Sequence, residues 1–347
     1  MTSRARLTLA LAAVLATGLA VAGSASAQAP GFFGVAPQSG VGTLEEEDFT
    51  LMEEAGVGSL RFLANRPSLT LADGTVNTGV LDHAIGNAAA RGIKSLPVLF
   101  ERPAPTTTAQ RRALAGFAGE LAARYGPGGD YWDGDFELQH PGATALPVLS
   151  WQVLNEQNGR AYYGRKPSPK AYAKTLRMTA RAIKSVHPGA EIVLGGMFGT
   201  PSRKGSMTSW KFLDRLYRVK RIKREFGTVA IHPYGRNLKQ IRLQVERIRK
   251  VMRRNRDRKS RVRVTELGWG SRAGGHSLNK GLQGQARMLR KAFGMLAGNR
   301  GRWRISGVHW FSWQDGEVGC PFCPTAGLLR DDRSTKPSFN AFRSLAH

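Results

Sequence analysis

One strand–helix–strand unit in the middle of the chain decides the predicted fold: residues 147–154 read PVLSWQVL, residues 168–189 read SPKAYAKTLRMTARAIKSVHPG, and residues 191–197 read EIVLGGM. Ser168-Pro169 is a typical helix start, with a capping serine and a proline in the first turn, and His187-Pro188-Gly189 is a typical helix end. Between these signals, apolar side chains recur at helical spacing. The two flanking apolar stretches are therefore expected to be parallel strands joined by this helix.

The same alternation of strand and helix signals continues from Gly31 to the last residues of the chain. The predicted strands are residues 32–36, 59–63, 94–100, 147–154, 191–197, 228–232, 261–265 and 307–311. The predicted helices are residues 45–55, 77–91, 108–125, 169–187, 209–218, 237–254, 280–296 and 337–345. Eight such units predict an α/β protein with a single (β/α)8 barrel, the TIM-barrel fold.

An open, doubly wound parallel sheet is the structural alternative to the barrel. Such a sheet is expected to carry a glycine-rich phosphate turn after its first strand, and Val35-Ala36-Pro37-Gln38 is not one. No linker rich in proline, serine or threonine divides the chain. We therefore assign residues 28–347 to one barrel domain.

The first 27 residues have the features of an export signal. Arg4 and Arg6 give a basic start, residues 7–22 are almost continuously apolar, and Ala25-Ser26-Ala27 is the small-residue site that a signal peptidase needs. A membrane anchor is the weaker interpretation because the apolar run is short for a bilayer crossing. We predict a secreted, extracellular protein without a membrane span, beginning at Gln28.

The composition is strongly basic and rich enough in apolar residues for a packed core. The chain has 52 Lys+Arg against 25 Asp+Glu, a formal net charge of +27, and 41% hydrophobic residues, which excludes a disordered chain. The excess charge is concentrated between Lys211 and Arg263, on helices with one apolar and one cationic face. A generally basic surface is the simpler interpretation. The alternative is contact between these basic helices and an anionic cell wall, an acidic glycan or nucleic acid, although no nucleic-acid-binding module accompanies the charge.

The only two cysteines, Cys320 and Cys323, form a Cys-Pro-Phe-Cys motif. In an exported protein the preferred interpretation is a local disulfide. A thioredoxin-like site is less favoured because no redox-domain pattern precedes the motif, and a zinc site would need two further ligands at suitable spacing. We predict neither a metal nor a cofactor.

Two glutamates stand at predicted strand ends, which in a barrel of this kind meet at one face. Glu156 follows the fourth strand and Glu266 the seventh. Hydrolysis of a glycosidic bond needs one acid that protonates the leaving oxygen and one carboxylate that meets the developing positive charge. Trp269, Trp310 and Trp313 are candidates to stack on sugar rings. Singly, each feature has a structural explanation, an ion-paired glutamate or a core tryptophan, so the prediction depends on their combination.

These strand-end motifs resemble those of the clan A glycoside hydrolases, and the resemblance spans essentially the whole chain after residue 27. The motifs are Asn155-Glu156 after strand four, His232-x-Tyr234 after strand six, Thr265-Glu266-x-Gly268-Trp269 after strand seven, Trp313 after strand eight, and the final-turn sequence from Gly327 to Phe342. The groups most similar are the β-xylosidase/α-L-iduronidase-like family and the cellulase-like family. The resemblance implies a TIM barrel that cleaves O-glycosyl bonds with retention of configuration.

The resemblance also implies roles for individual residues. Glu156 would be the general acid/base and Glu266 the nucleophile. The implied substrate-binding or positioning residues are Arg61, Asn155, His232, Tyr234, Trp269 and Trp313. Among them, Arg61 would keep Glu266 ionised, Asn155 would bond the sugar 2-hydroxyl, Tyr234 would hydrogen-bond Glu266, and Trp313 would form the floor of the sugar subsite.

One feature departs from the family pattern. Several clan A families have a histidine after strand three, whereas this chain has Glu101-Arg102. We expect Glu101 to form a structural ion pair with Arg102, with contact to substrate hydroxyls as the alternative.

The sequence as a whole predicts a secreted, monomeric, retaining glycoside hydrolase that acts on an oligo- or polysaccharide. The alternative is a non-catalytic protein on the same barrel that binds carbohydrate or an anionic cell wall. The presence of both glutamates argues against that alternative.

Overall fold

The computed structural model describes residues 31–38, 40–164, 166–201, 203–316 and 319–347, so the predicted signal peptide lies outside the described residues. Eight parallel strands form a closed barrel in which each strand pairs with the next in sequence and β8 pairs with β1. The strands are β1 (Phe33–Val35), β2 (Ser59–Asn65), β3 (Lys94–Phe100), β4 (Ser150–Asn155), β5 (Glu191–Phe198), β6 (Thr228–His232), β7 (Arg261–Leu267) and β8 (Ile305–Trp310). The predicted single (β/α)8 barrel is confirmed.

Eight helices surround the barrel, one after each strand. They are α1 (Glu46–Glu54), α2 (Gly79–Ala90), α3 (Thr108–Tyr125), α4 (Pro169–Val186), α5 (Ser209–Tyr217), α6 (Leu238–Arg254), α7 (Leu282–Gly298) and α8 (Pro337–Ala346). Short helical segments missed by the sequence analysis are Val41–Thr43, Arg66–Leu69, Trp132–Phe136, Glu137–Gln139, Arg160–Tyr163, Ile222–Arg224, Arg300–Trp303 and Cys323–Thr325. These segments are too short for an apolar periodicity to show in the sequence.

Side-chain caps explain why the long helices begin where they do. Ser168 accepts a hydrogen bond from the backbone N–H of Ala171 at the start of α4. At α3, Thr107 accepts from the N–H of Gln110, whose side chain accepts from the N–H of Thr107 in return. Each cap satisfies donors that the first helical turn leaves without partners.

The apolar core lies mainly between the barrel and its helices. On α4 and α6, for example, Leu176, Ile183 and Ile248 are fully buried. Inside the barrel, Leu96, Val193 and Ala230 form a small apolar cluster, each at the third position of its strand. Polar side chains also lie in the interior at the amino end of β2, where Arg263 donates to the Ser59 hydroxyl and His309 contacts it. Among the described residues, no helix combines the length and the apolar character that a bilayer crossing requires.

Candidate active site

Glu156 and Glu266 meet in one cavity at the carboxyl ends of the strands. Glu156 directly follows β4, and Glu266 is the second-last residue of β7. An oxygen of one carboxylate lies within 4.8 Å of an oxygen of the other. Both residues line a cavity of about 540 Å³, and their side chains are only 13% and 11% exposed. The two carboxylates are thus mostly withdrawn from bulk water and yet open to a ligand in the cavity.

The backbone around Glu156 has an unusual conformation. Leu154 (φ 64°) and Glu156 (φ 46°) both have left-handed conformations, which non-glycine residues rarely adopt. Hydrogen bonds on both sides hold the segment: the Gln152 side chain donates to the carbonyl of Leu154, and the N–H of Glu156 donates to the carbonyl of Gly196. Conformations of this kind cost about 1–3 kcal/mol each and tend to occur at functional sites.

A buried arginine organises the charge around Glu266. Arg61 is 3% exposed and donates to Glu266 Oε1 at 2.9 Å, to Asn155 Oδ1 at 2.7 Å and to Gln152 Oε1 at 3.1 Å. The Tyr234 hydroxyl donates to the other carboxylate oxygen, Glu266 Oε2, at 3.0 Å. Each oxygen of Glu266 therefore accepts a hydrogen bond that favours its ionised form.

His232 lies between the two carboxylates. Its Nδ1 is 2.9 Å from Glu156 Oε1 and 3.3 Å from Glu266 Oε2. Its Nε2 is buried against Gly196, with no hydrogen-bond partner among the described residues. Burial, and then the positive charge of Arg61, hold the pKa of His232 well below its ordinary value, so the ring is neutral. We assign the proton to Nδ1, which lies 2.9 Å from Glu156 Oε1, because a proton on Nε2 would have no acceptor among the described residues.

The two carboxyl groups have unequal proton affinities. Burial, and then the negative charge of Glu266, raise the pKa of Glu156 well above its ordinary value. Burial also raises the pKa of Glu266, but Arg61 and the hydrogen bond from Tyr234 act against this shift. Glu156 therefore holds its proton more strongly than Glu266, which ionises at a lower pH. Unequal environments of this kind separate a general acid from a nucleophile.

The ligand types at this site would also suit a metal ion, since Glu156, His232 and Glu266 cluster closely. However, the guanidinium of Arg61 already contacts Glu266, and its fixed positive charge opposes a second cation. The donor set therefore fits proton transfer better than metal coordination.

Aromatic side chains that the sequence analysis missed as site residues form much of the cavity wall. They are Tyr162, Phe198, Phe311 and Phe322. Tyr162 lines the same cavity as Glu156, whose negative charge is the largest cause of the raised pKa of Tyr162. Phe322 packs edge-on against Tyr234 at 5.4 Å between ring centroids. These rings give the cavity apolar walls.

The prediction that Trp269 and Trp313 contact the substrate is wrong for this structure. Both rings are fully buried and neither lines the cavity. Trp269 donates its indole N–H to the carbonyl of Gly235, and Trp313 donates to Asp48 Oδ1. After β8 it is Phe311 that faces the cavity. Side chains alternate in direction along an extended chain, so the sequence from Trp310 to Trp313 indicated only that at least one aromatic ring points away from the barrel interior.

The residues after β3 also differ in part from expectation. Glu101 does form an ion pair, but the predicted partner is wrong: it pairs with Arg66 at 2.7 Å and not with Arg102, and it does not line the cavity. Arg102 instead stands at the exposed rim, with its guanidinium 5.2 Å from the ring centroid of Tyr162. The departure from the family pattern therefore places a cation at the cavity mouth.

The Cys-Pro-Phe-Cys motif forms part of the same wall. A disulfide joins Cys320 to Cys323, and both residues line the cavity. Behind this loop, the buried ammonium group of Lys336 donates to Asp315 Oδ1 at 2.6 Å and to the carbonyl of Thr325. The motif thus holds a loop over the site and adds no chemical group to it.

No protein-family model and no curated protein matches the chain. Among solved structures, it is similar to a family 39 glycoside hydrolase from the gut symbiont Bacteroides cellulosilyticus WH2, with a TM-score of 0.67, 21% identity, and coverage of 91% of this chain and 63% of that one. It is also similar to a monomeric β-xylosidase from Caulobacter crescentus CB15 (TM-score 0.61, 18% identity, coverage 90% and 68%). A family 51 α-L-arabinofuranosidase from Bifidobacterium longum gives a TM-score of 0.61 at 13% identity, with coverage of 91% and 73%.

These similarities define the class of fold. The chain has the (β/α)8 barrel of clan A glycoside hydrolases, so the resemblance drawn from the strand-end motifs is confirmed at the level of the fold. The present chain spans less than two thirds of the length of the Bacteroides cellulosilyticus protein.

Proposed function

We propose that this protein is a secreted, monomeric, retaining glycoside hydrolase that cleaves O-glycosyl bonds in an oligo- or polysaccharide. The observation that carries the proposal is the pair of carboxylates, Glu156 and Glu266, within 4.8 Å of each other in one aromatic-walled cavity. Retaining enzymes hold such groups about 5–5.5 Å apart, whereas inverting enzymes need about 6.5–9.5 Å to admit a water molecule. The short separation supports direct attack by one carboxylate.

In the first step, Glu266 attacks the anomeric carbon while Glu156 donates its proton to the departing oxygen. The bond between that carbon and the leaving oxygen breaks, and an ester bond to Glu266 forms. In the second step, Glu156 takes a proton from water as the water attacks the same carbon, and Glu266 leaves as a carboxylate. The two inversions restore the original configuration.

The charge arrangement supports the change of role of Glu156 between the steps. The negative charge of Glu266 contributes to the raised pKa of Glu156. Once Glu266 is esterified this charge is lost, so the pKa of Glu156 falls and its carboxylate becomes available as the base. Arg61 and Tyr234 hold Glu266 in position, and Asn155, whose Oδ1 is held by Arg61, retains its amide N–H groups to donate to a sugar hydroxyl.

The stereochemistry of the product tests the proposal directly. We expect proton NMR of the first product formed from an aryl glycoside to show the same anomeric configuration as the substrate. The panel should include aryl β-D-xyloside and α-L-arabinofuranoside, because similar folds carry those activities. Inversion would contradict the double displacement. Absence of turnover on the whole panel, together with measurable glycan binding, would favour a non-catalytic carbohydrate-binding protein.

The disulfide loop is expected to affect substrate binding more than chemistry. In the double variant Cys320→Ser, Cys323→Ser, we expect KM to rise about fivefold, which corresponds to roughly 1 kcal/mol of lost contact. We expect kcat to change little, because Glu156 and Glu266 are held by β4 and β7. The thermal midpoint should also change little, because a disulfide that closes so short a loop restricts the unfolded chain only slightly. Steady-state kinetics and calorimetry measure these quantities, and a fall in kcat at constant KM would contradict the assigned role.

A further inference from the structure

A basic groove lies at the end of the barrel opposite the catalytic cavity. It has a volume of about 350 Å³ and is bounded by the second half of α6 and by the short helix Arg300–Trp303, which precedes β8. The catalytic carboxylates lie at the carboxyl ends of the strands, whereas this groove lies near the amino end of β8. Its basic lining residues are Arg247, Arg249, Lys250, Arg253 and Arg302.

Two buried N–H donors on the wall of this groove have no acceptor among the described residues. Arg249 is 5% exposed, and its Nε has no hydrogen-bond partner within the described residues; its Nη1 contacts only the sulfur of Met252. Trp303 is 2% exposed, and its indole N–H likewise has no partner there. Buried polar groups are nearly always hydrogen-bonded, so two exceptions on one groove indicate a missing acceptor.

The charge around the groove is also unbalanced. Its one acidic lining residue, Glu246, lies 3.8 Å from Arg302, and none of the ion pairs within the described ranges includes Arg249. Burial, followed by the positive charges of Arg253 and Arg304, lowers the pKa of Arg249. Arg304 also lines a neighbouring cavity of about 490 Å³, together with Lys184, Arg224, Lys259 and Arg261, and the one acidic lining residue there, Glu191, pairs with Arg261. The cationic surface therefore continues from the groove along the amino ends of β5 to β8.

We propose that this groove is an oxyanion-binding site, in which Arg249 and Trp303 donate hydrogen bonds to the oxygens of a phosphate or sulfate group. Such a group supplies both missing features, negative charge and several acceptor oxygens on one centre. The other basic residues that line the groove strengthen the attraction. The basic α6 helix, recognised in the sequence only as a charged surface, thus has a defined site on it, and this site is independent of the proposed hydrolase activity.

Titration calorimetry on the full chain, with inorganic phosphate and inorganic sulfate at constant ionic strength, tests the proposal. We expect saturable binding by the wild type, and a Kd about tenfold higher or more in Arg249→Met, because a charge-assisted hydrogen bond is lost. Trp303→Phe should raise the Kd by a smaller factor. The matched control is Arg112→Met, which removes the same charge from an exposed position on α3 and should leave the Kd unchanged.

Equal affinity in Arg249→Met and Arg112→Met, or binding that never saturates, would overturn the proposal and leave only a generally basic surface. If circular dichroism shows that Arg249→Met does not fold, the affinities of Trp303→Phe and Arg249→Lys are compared with that of Arg112→Met instead.

Titration with tripolyphosphate distinguishes an anionic group on a polymer from a free anion. Affinity much higher than for phosphate indicates a polymer that also reaches the neighbouring cavity, and equal affinity indicates a free anion. Turnover of aryl glycosides is expected to be unchanged in Arg249→Met, so failure of either proposal is distinguishable from failure of the other.

Discussion

Glu266→Gln is expected to lower kcat/KM on aryl glycosides by about 10⁴-fold or more, the scale of loss seen when a covalent nucleophile is removed. The amide cannot form the glycosyl ester, and it lacks the negative charge that Arg61 and Tyr234 stabilise in the wild type. Because the side chain keeps its size, the cavity should be preserved. Steady-state kinetics on the most reactive substrate of the panel measures the loss.

The matched control for this variant is Glu101→Gln, the same substitution at another buried glutamate, which directly follows β3. Glu101 pairs with Arg66 and does not line the cavity, so we expect a loss of activity below about tenfold, as for a partly buried ion pair. A 2-fluoro glycoside should also trap the covalent intermediate, with the added mass on the peptide that contains Glu266. Comparable activity in the two variants, or a label on another residue, would remove Glu266 from the mechanism.

Glu156→Gln is expected to produce a loss that depends on the leaving group. With a sugar as leaving group, kcat/KM should fall by about 10²–10⁴-fold, the usual contribution of a general acid. With dinitrophenol, which leaves without protonation, formation of the intermediate should be nearly as fast as in the wild type. Kinetics on a series of aryl glycosides measures this dependence, and an equal loss with every leaving group would contradict the role of acid.

The pH profile of the same variant gives a second, independent result. The proposed mechanism requires Glu156 to be protonated, and its raised pKa keeps the proton to a higher pH than the value of about 4.3 for an ordinary glutamate. Wild-type activity should therefore fall as the pH rises through this raised pKa. Glu156→Gln should lose that alkaline limb and keep the acidic limb, where Glu266 becomes protonated. An alkaline limb that is unchanged in the variant would assign it to another group.

Most of the fold could be predicted because each element carries its own local signals. The bounds predicted for β3, β6 and α3 are those of the structure, since an apolar β-rich run or a capped helical pattern begins and ends within the segment itself. The helical segment Trp132–Phe136 was missed because it is too short to show a periodicity. The prediction that residues 1–27 are an export signal stays a prediction.

The candidate site was predictable only to the level of strand ends. The strand order of a closed parallel barrel brings Arg61, Asn155, Glu156, His232 and Glu266 to one face, and they do meet there. The sequence did not show which aromatic ring after β8 faces the cavity, because the chain is irregular there. The Trp313 ring is buried in the core, where its indole N–H donates to Asp48 Oδ1.

The amino-acid sequence by itself determined the barrel and the residues at its carboxyl end, because apolar periodicity, helix caps and strand spacing are properties of short stretches of chain. Only the tertiary structure decided which carboxyl group keeps the proton, since proton affinity depends on burial and on charges brought in from distant strands. The same holds for the groove that both Arg249 and Trp303 line. Hydrogen-bond acceptors are gained or lost only when remote segments pack together, so no local pattern in the sequence records that these two donors lack one.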